Sequence, residues 1–169
     1  SATTMPVHTR PSPVEVSVAD AYRRFGEQLY ARGDFENAMQ QFCHTIGIMS
    51  PSVVIRKFLD AQRLQYLNVY LEALHARHLA HTGHATLLLN CYTKLRNIEA
   101  VDRFLRASDV PLDVPVALDV CRRGGCVAQA AYLAQVHGMH DVDLSIQLHD
   151  ADDPKAALDY LASLPHSDV

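Results

Sequence analysis

The sequence carries no excess of positive charge. Its 15 Lys and Arg residues against 19 Asp and Glu give a formal net charge of −4, so the electrostatic footprint of a nucleic-acid binder, or of a protein drawn to anionic lipid, is missing. No apolar run approaches the roughly 20 residues that a membrane-spanning helix needs, so no direct membrane insertion is expected. The amino-terminal residues also lack the basic-then-apolar order of a secretory signal. Cysteine is scarce: Cys43, Cys91, Cys121 and Cys126 form no CxxC pair, which points to a reduced, intracellular setting rather than a disulfide framework. Strand signals are nearly absent. What is present is a chain of 169 residues, 49% hydrophobic and 20% charged, long enough to bury a full core without cross-links or cofactors.

One stretch organises the rest. Tyr22, Phe25, Gly26, Leu29 and Tyr30 recur at the three-and-four spacing of a helical face, and after Gly33-Asp34 the residues Phe35, Ala38, Met39, Phe42, Cys43 and Ile46 do the same. Gly33 suits the left-handed position that closes a helix, and Asp34 suits the cap that opens the next. A glycine inside a helix costs about 1 kcal/mol relative to alanine. Gly26, with Ala38 opposite, is therefore expected where two helix backbones cross closely. The pattern describes a helix-turn-helix unit built to stack.

The unit recurs. Gly125-Cys126-Val127-x-x-Ala130-Ala131 lies on Gly33-Asp34-Phe35-x-x-Ala38-Met39, and Asp152-Asp153-Pro154-x-x-Ala157-Leu158 fits again with the glycine replaced. Arg96-Asn97-Ile98-x-x-Val101 is a fainter copy. A period of roughly 30 residues belongs to helical-pair solenoids, whose units bury their apolar faces only by stacking. Residues 1–16, with Pro6, Pro11 and Pro13 and no apolar period, read as an extended linker. The all-α solenoid is expected over 17–165, with 166–169 as a tail. Ser17-x-x-Asp20 reads as a capping-box variant at the first helix, and Ser50-Pro51 and Asp153-Pro154 mark later starts. The prolines of 109–115 interrupt the series. Val142, Leu144, Ile146 and Leu148 alternate like a strand, but they occupy a first-helix slot and a lone strand would leave its backbone unpaired, so helix is expected there.

Chemistry-bearing clusters are weak. His75, His78, His81 and His84 fall at three-residue intervals, yet they drift around the helix and lack a completing ligand, so a solvated helix end is the better reading. Cys121 and Cys126 with His137 and His140 have the wrong spacing for a closed zinc site. Cys43 and Cys91 sit on apolar stripes that disfavour thiolate. Asp141, Asp143, Asp150, Asp152 and Asp153 lack the glycine and terminal glutamate of a calcium loop. The basic residues Arg56, Lys57 and Arg63 form a possible protein-contact face opposite Phe58 and Leu59.

Several runs together resemble a known family. They are 25–39 as quoted above, Thr45-Ile46-Gly47, Pro51-Ser52-x-Val54-Ile55-Arg56-Lys57-Phe58-Leu59-Asp60-Ala61-Gln62-Arg63, His84-x-Thr86-Leu87-Leu88-Leu89-Asn90-Cys91-Tyr92-Thr93-Lys94-Leu95, Ala131-x-Leu133-Ala134 and Lys155-x-Ala157-Leu158-x-Tyr160. They resemble the clathrin-heavy-chain-repeat region of the vacuolar protein sorting-associated protein 11 family, from about Asp20 to Pro165. The copy at Arg123-Gly124-Gly125-Cys126-Val127 departs from that pattern, where a single glycine followed by aromatics is usual. The resemblance implies a scaffold and protein-binding segment of a HOPS- or CORVET-type tethering subunit, peripheral on late endosome, lysosome or vacuole membranes. Its implied partners are the other class C vacuolar sorting subunits and, indirectly, Rab GTPases and SNAREs. The family's β-propeller and RING module do not appear in these residues. No cofactor, metal or reaction is expected. Repeat-packing roles fall to Gly26, Gly33, Asp34, Ala38, Gly125, Ala130 and Ala157. The rivals are a tetratricopeptide-like module holding a peptide in a groove lined by Asn, Lys or Arg, and a metal-dependent hydrolase using the histidines.

Overall fold

A computed structural model describes residues 9–150 and 154–163. In the last helix it describes side chains at Lys155, Leu158, Asp159, Ala162 and Ser163 alone. Among the described residues there are ten helices and no strand: α1 (Pro13–Ala31), α2 (Phe35–Cys43), α3 (Pro51–Asp60), α4 (Leu64–Ala76), α5 (Thr82–Lys94), α6 (Ile98–Arg106), α7 (Val114–Arg123), α8 (Val127–Val136), α9 (His140–His149) and α10 (Pro154–Ser163). The all-α solenoid expectation is met. The chain divides into two compact units, Ser1–Leu74 and His75–Val169.

One turn design recurs at five joints. At Gly33, Gln62, Arg96, Gly125 and Gly138 the backbone takes positive φ, between 52° and 80°. The residue that follows donates its N–H five positions back: Asp34 to Leu29, Arg63 to Phe58, Asn97 to Tyr92, Cys126 to Cys121 and Met139 to Ala134, at 2.8–3.0 Å. This is the Schellman closure, which satisfies the last carbonyls of a helix. The residue closing one helix then opens the next. Asp34 and Asn97 accept from the backbone N–H groups of Asn37 and Ala100 at 3.3 and 3.2 Å, the capping bond of Asn and Asp.

In the first unit α1 packs on α2, and the core is aromatic. Phe58, fully buried, meets Tyr30 at 5.3 Å, Phe42 at 6.0 Å and Tyr66 at 6.4 Å, all edge-on, the geometry that ring quadrupoles favour. In the second unit α5 packs on both α6 and α7, α6 on α8, and α7 on α8. First helices thus lie on first helices and second on second, the stacking mode of a repeat array.

Three expectations need correction. The first helix starts at Pro13, not near Ser17. Pro13 occupies a first-turn position, where its missing N–H costs nothing, and Ser12 with Glu15 forms the capping box: Glu15 N–H donates to Ser12 Oγ at 3.2 Å and Ser12 N–H to Glu15 Oε2 at 2.6 Å. Asp20 instead holds Arg23 and Arg24 at 2.8 and 2.7 Å. Phe25 is 48% exposed, because the buried face of α1 runs through Ala19 and Gly26. The histidines do not share one helix. α4 ends at Ala76, His78 has φ of 55°, and His81 caps α5. Residues 140–149 are helical, as expected despite their alternation; the fully buried positions are Ile146, one of the alternating apolar residues, and Asp143, which lies between them.

Candidate functional site

The surface of the first unit is set by how its basic residues are used. Lys57 pairs with Glu27 at 2.9 Å, and its Nζ lies 4.5 Å from the centre of the Tyr30 ring. The Arg63 guanidinium lies 3.5 Å from the centre of the Phe35 ring, with Nε buried and without a hydrogen-bond partner among the described residues. Both cations gain from the ring faces and serve packing. Arg56, by contrast, is exposed. The three therefore do not form the continuous contact face expected from sequence; α3 turns Lys57 inward, toward α1, and the turn at Gln62 lays Arg63 on Phe35.

The packing residues occupy these places. Ala38 is fully buried in α2. Gly26 faces Phe42, one helical turn beyond Ala38: a Cβ there would stand 3.0 Å from Phe42 Cε1. Gly33 and Gly125 carry φ of 80° and 73°, and Ala130 is fully buried in α8. The side chain of Ala157 lies outside the described residues, as do Asp152, Asp153 and the tail 166–169.

Long-range polar contacts in the second unit repeat with the helices. Arg96 Nη1 donates to the Gly124 carbonyl at 3.1 Å, and Arg122 Nε donates to Asp150 Oδ2 at 2.6 Å, each across 28 residues. Gln129 bonds Asp102 across 27, and Arg106 lies over the Tyr132 ring at 4.2 Å. These clamps join a helix pair to its neighbour. Sequence reading missed them because each links one repeat to the next rather than neighbours on one helix. Hydrogen bonding to Arg122 holds the Asp150 carboxyl below the usual carboxylate range.

The titratable groups are occupied by structure. His81 Nδ1 accepts from Gly83 N–H at 3.0 Å and His84 N–H at 3.4 Å, while His81 N–H donates to His84 Nδ1 at 3.3 Å; the two rings stack at 3.7 Å. The pair is a capping box made of imidazoles. Burial lowers the His84 pKa, with smaller contributions from His81 and His75, and burial also lowers that of His75. Burial pushes the Cys91 thiol up to about 11 and Cys121 up to about 12, away from the thiolate a nucleophile needs. Among the described residues no three His, Cys, Asp or Glu side chains gather as a metal site, and no helix is long and apolar enough to cross a membrane. Asp143 is fully buried, with both carboxyl oxygens unpartnered among the described residues.

These features define a helical-pair repeat protein in which charged and aromatic side chains mostly join one element to the next. A model of the PEP5/VPS11 clathrin repeat matches residues 30–169. The chain belongs to this PEP5/VPS11 clathrin-repeat family. It is 47% identical over 148 residues to a vacuolar protein sorting-associated protein 11 homolog of Dictyostelium discoideum, covering 88% of this chain and 16% of that protein. It is 44% identical over 151 residues to the homolog of Mus musculus, again covering 88% of this chain and 16% of the relative. The homolog of Arabidopsis thaliana is 44% identical over 155 residues, covering 89% of this chain and 17% of that protein. The chain thus spans about one sixth of the length of these relatives.

Proposed function

We propose that this chain is the scaffold and protein-binding segment of a HOPS- or CORVET-type tethering subunit, and that it carries no reaction of its own. The observation behind this reading is the 44–47% identity to vacuolar protein sorting-associated protein 11 homologs across nearly the whole chain. The interlocked repeats support it. Arg96, Arg122 and Gln129 tie successive helix pairs at fixed offsets, as a spacer of set geometry requires. The proposed partners are the other class C vacuolar sorting subunits and, through them, Rab GTPases and SNAREs. The proposed location is the cytoplasmic face of late endosomes, lysosomes or the vacuole, as a peripheral protein.

The test is Ala38→Arg in the full-length parent, compared with His78→Ala. Ala38 is fully buried. An arginine there overpacks the core at a cost of roughly 1–3 kcal/mol and buries an unpaired cation as well. Affinity purification of the parent is expected to lose the class C subunits with Ala38→Arg and to retain them with His78→Ala. Retention by both, with the mutant segment shown to be unfolded, would overturn the scaffold role.

A further inference from the structure

In the second unit a groove of about 780 Å3 runs between α5 and α7, within the size range of ligand pockets. At its floor the Gly124 backbone lies close against the Thr93 side chain: a Cβ on Gly124 would stand 2.8 Å from Thr93 Cβ. Leu87, Val116 and Val120 supply apolar wall, while Asn90, Lys94, Arg96 and Arg123 supply its polar lining.

The charge of this groove opposes that of the chain. It holds three cations and one carboxylate, Asp119, and that carboxylate is taken by Arg123, whose Nε and Nη2 lie 3.1 and 2.8 Å from its oxygens. The local excess is two positive charges in a chain of formal net charge −4. Lys94 is exposed and forms no ion pair among the described residues. Arg96 is anchored through Nη1 to the Gly124 carbonyl, which fixes its guanidinium at the groove before anything binds. Asn90 is half-buried, and its carboxamide has no partner among the described residues.

A carboxamide offers both a donor and an acceptor, the pairing that reads a main-chain amide, and preplaced cations read carboxylates. A local excess of two positive charges on a net acidic chain gives an anionic bilayer little to hold, and the lining has no aromatic ring on which a nucleic-acid base would stack. We infer that the groove between α5 and α7 binds an extended acidic peptide segment of a partner protein, with Asn90 holding its main chain and Lys94, Arg96 and Arg123 its carboxylates. This rests on the protein-binding reading proposed above and adds the partner's chemistry.

The test selects from a phage-displayed library of random decapeptides on the whole 169-residue chain. Affinity of the enriched peptides is then measured by fluorescence anisotropy, and their site by amide chemical shifts. Acidic sequences are expected to enrich, to shift amides of α5 and α7, and to weaken as salt rises. Lys94→Glu and Arg123→Glu, both at exposed positions, are each expected to keep the wild-type helical spectrum and to weaken binding about ten-fold or more. A peptide with its acids changed to lysine should then bind Lys94→Glu better than wild type. Enrichment of non-acidic peptides, no enrichment, or indifference to both charge reversals overturns the inference. So does capture by phosphatidylserine vesicles that these substitutions abolish while peptide binding persists. If the groove fails while Ala38→Arg still strips the parent of class C subunits, the groove falls alone; if both fail, the scaffold reading falls with it.

Discussion

Gly26→Ala puts a close approach to a direct test. On an open helix this change gains about 1 kcal/mol. Here the added methyl would meet Phe42 Cε1 at 3.0 Å, Cζ at 3.1 Å and Cδ1 at 3.2 Å, against a comfortable carbon-carbon separation of about 3.5–4.0 Å. The ring must move by roughly half an ångström to make room. It has little freedom to do so, since Phe42 is 1% exposed and lies edge-on to a fully buried Phe58. Overpacking of this kind costs about 1–3 kcal/mol, so the steric term should exceed the propensity gain and leave a net loss of about 1 kcal/mol. Phe42→Leu removes the ring edge, and in that background Gly26→Ala should change sign and stabilise. Urea unfolding followed by circular dichroism on the four proteins of the cycle gives the coupling, expected at about 1–3 kcal/mol. Equal stabilisation by Gly26→Ala in both backgrounds would refute the reasoning, because Phe42 would then have room to spare.

Other outcomes follow from single sites. Asp143→Leu should stabilise by about 1–2 kcal/mol, since it removes a buried carboxyl group with no partner among the described residues, costing roughly 1–3 kcal/mol against a favourable dipole effect of about 0.3–1 in the first turn of α9; a lower thermal midpoint would count against it. Gln62→Gly should gain about 0.5–1 kcal/mol by relieving a φ of 52°, an amount reduced by the glycine's larger unfolded-state entropy; an unchanged urea midpoint would argue that this backbone is unstrained. Two half-buried histidines predict acid sensitivity. His75 and His84 have folded pKa values below their ordinary ones, so the unfolded chain binds protons first: their contribution is fully present above the unfolded value of about 6.5 and is lost as pH falls through and below it. The thermal midpoint should drop between about pH 7.5 and 5.5, and less so in His84→Gln; a flat profile in the wild-type chain would refute this.

The helix pairs were legible where glycine announces the turn. Gly33 and Gly125 stand out because L-residues rarely take positive φ, and the three-and-four spacing on either side marks the two helices. The same turn at Gln62 carries no such signal, although its Arg63-to-Phe58 closure at 2.8 Å matches the others. Pro11 and Pro13 look like linker residues until Ser12 is recognised as a cap, because proline serves both extended chain and a first helical turn. Burial of Asp143 was not readable, since nothing local distinguishes it from Asp141 beside it in the same acidic run. The groove of the second unit was hidden for a different reason: Asn90 and Arg123 come from separate repeats, and only the stacking of α5 on α7 places them on one surface. The basic run misled by proximity in sequence, for Arg56 and Lys57 are adjacent in the chain yet only Arg56 is exposed.

The shared turn fixes how such a chain can change length. At Gly33-Asp34 or Arg96-Asn97, one residue ends a helix and the next begins another, so no position is spare. A one-residue insertion would rotate the following helix by about 100° and swing its apolar stripe into water. The stretch 107–113 is different: Ala107 bonds back to α6 and Asp113 caps α7, but between them the backbone shows a single Leu112-to-Val110 bond, and it has slack. An array with these two kinds of joint grows by whole helix pairs and varies by residues at its longer joints, such as the one between α6 and α7. That same stretch is where a reporter domain can be spliced in without losing the phase of the helices on either side.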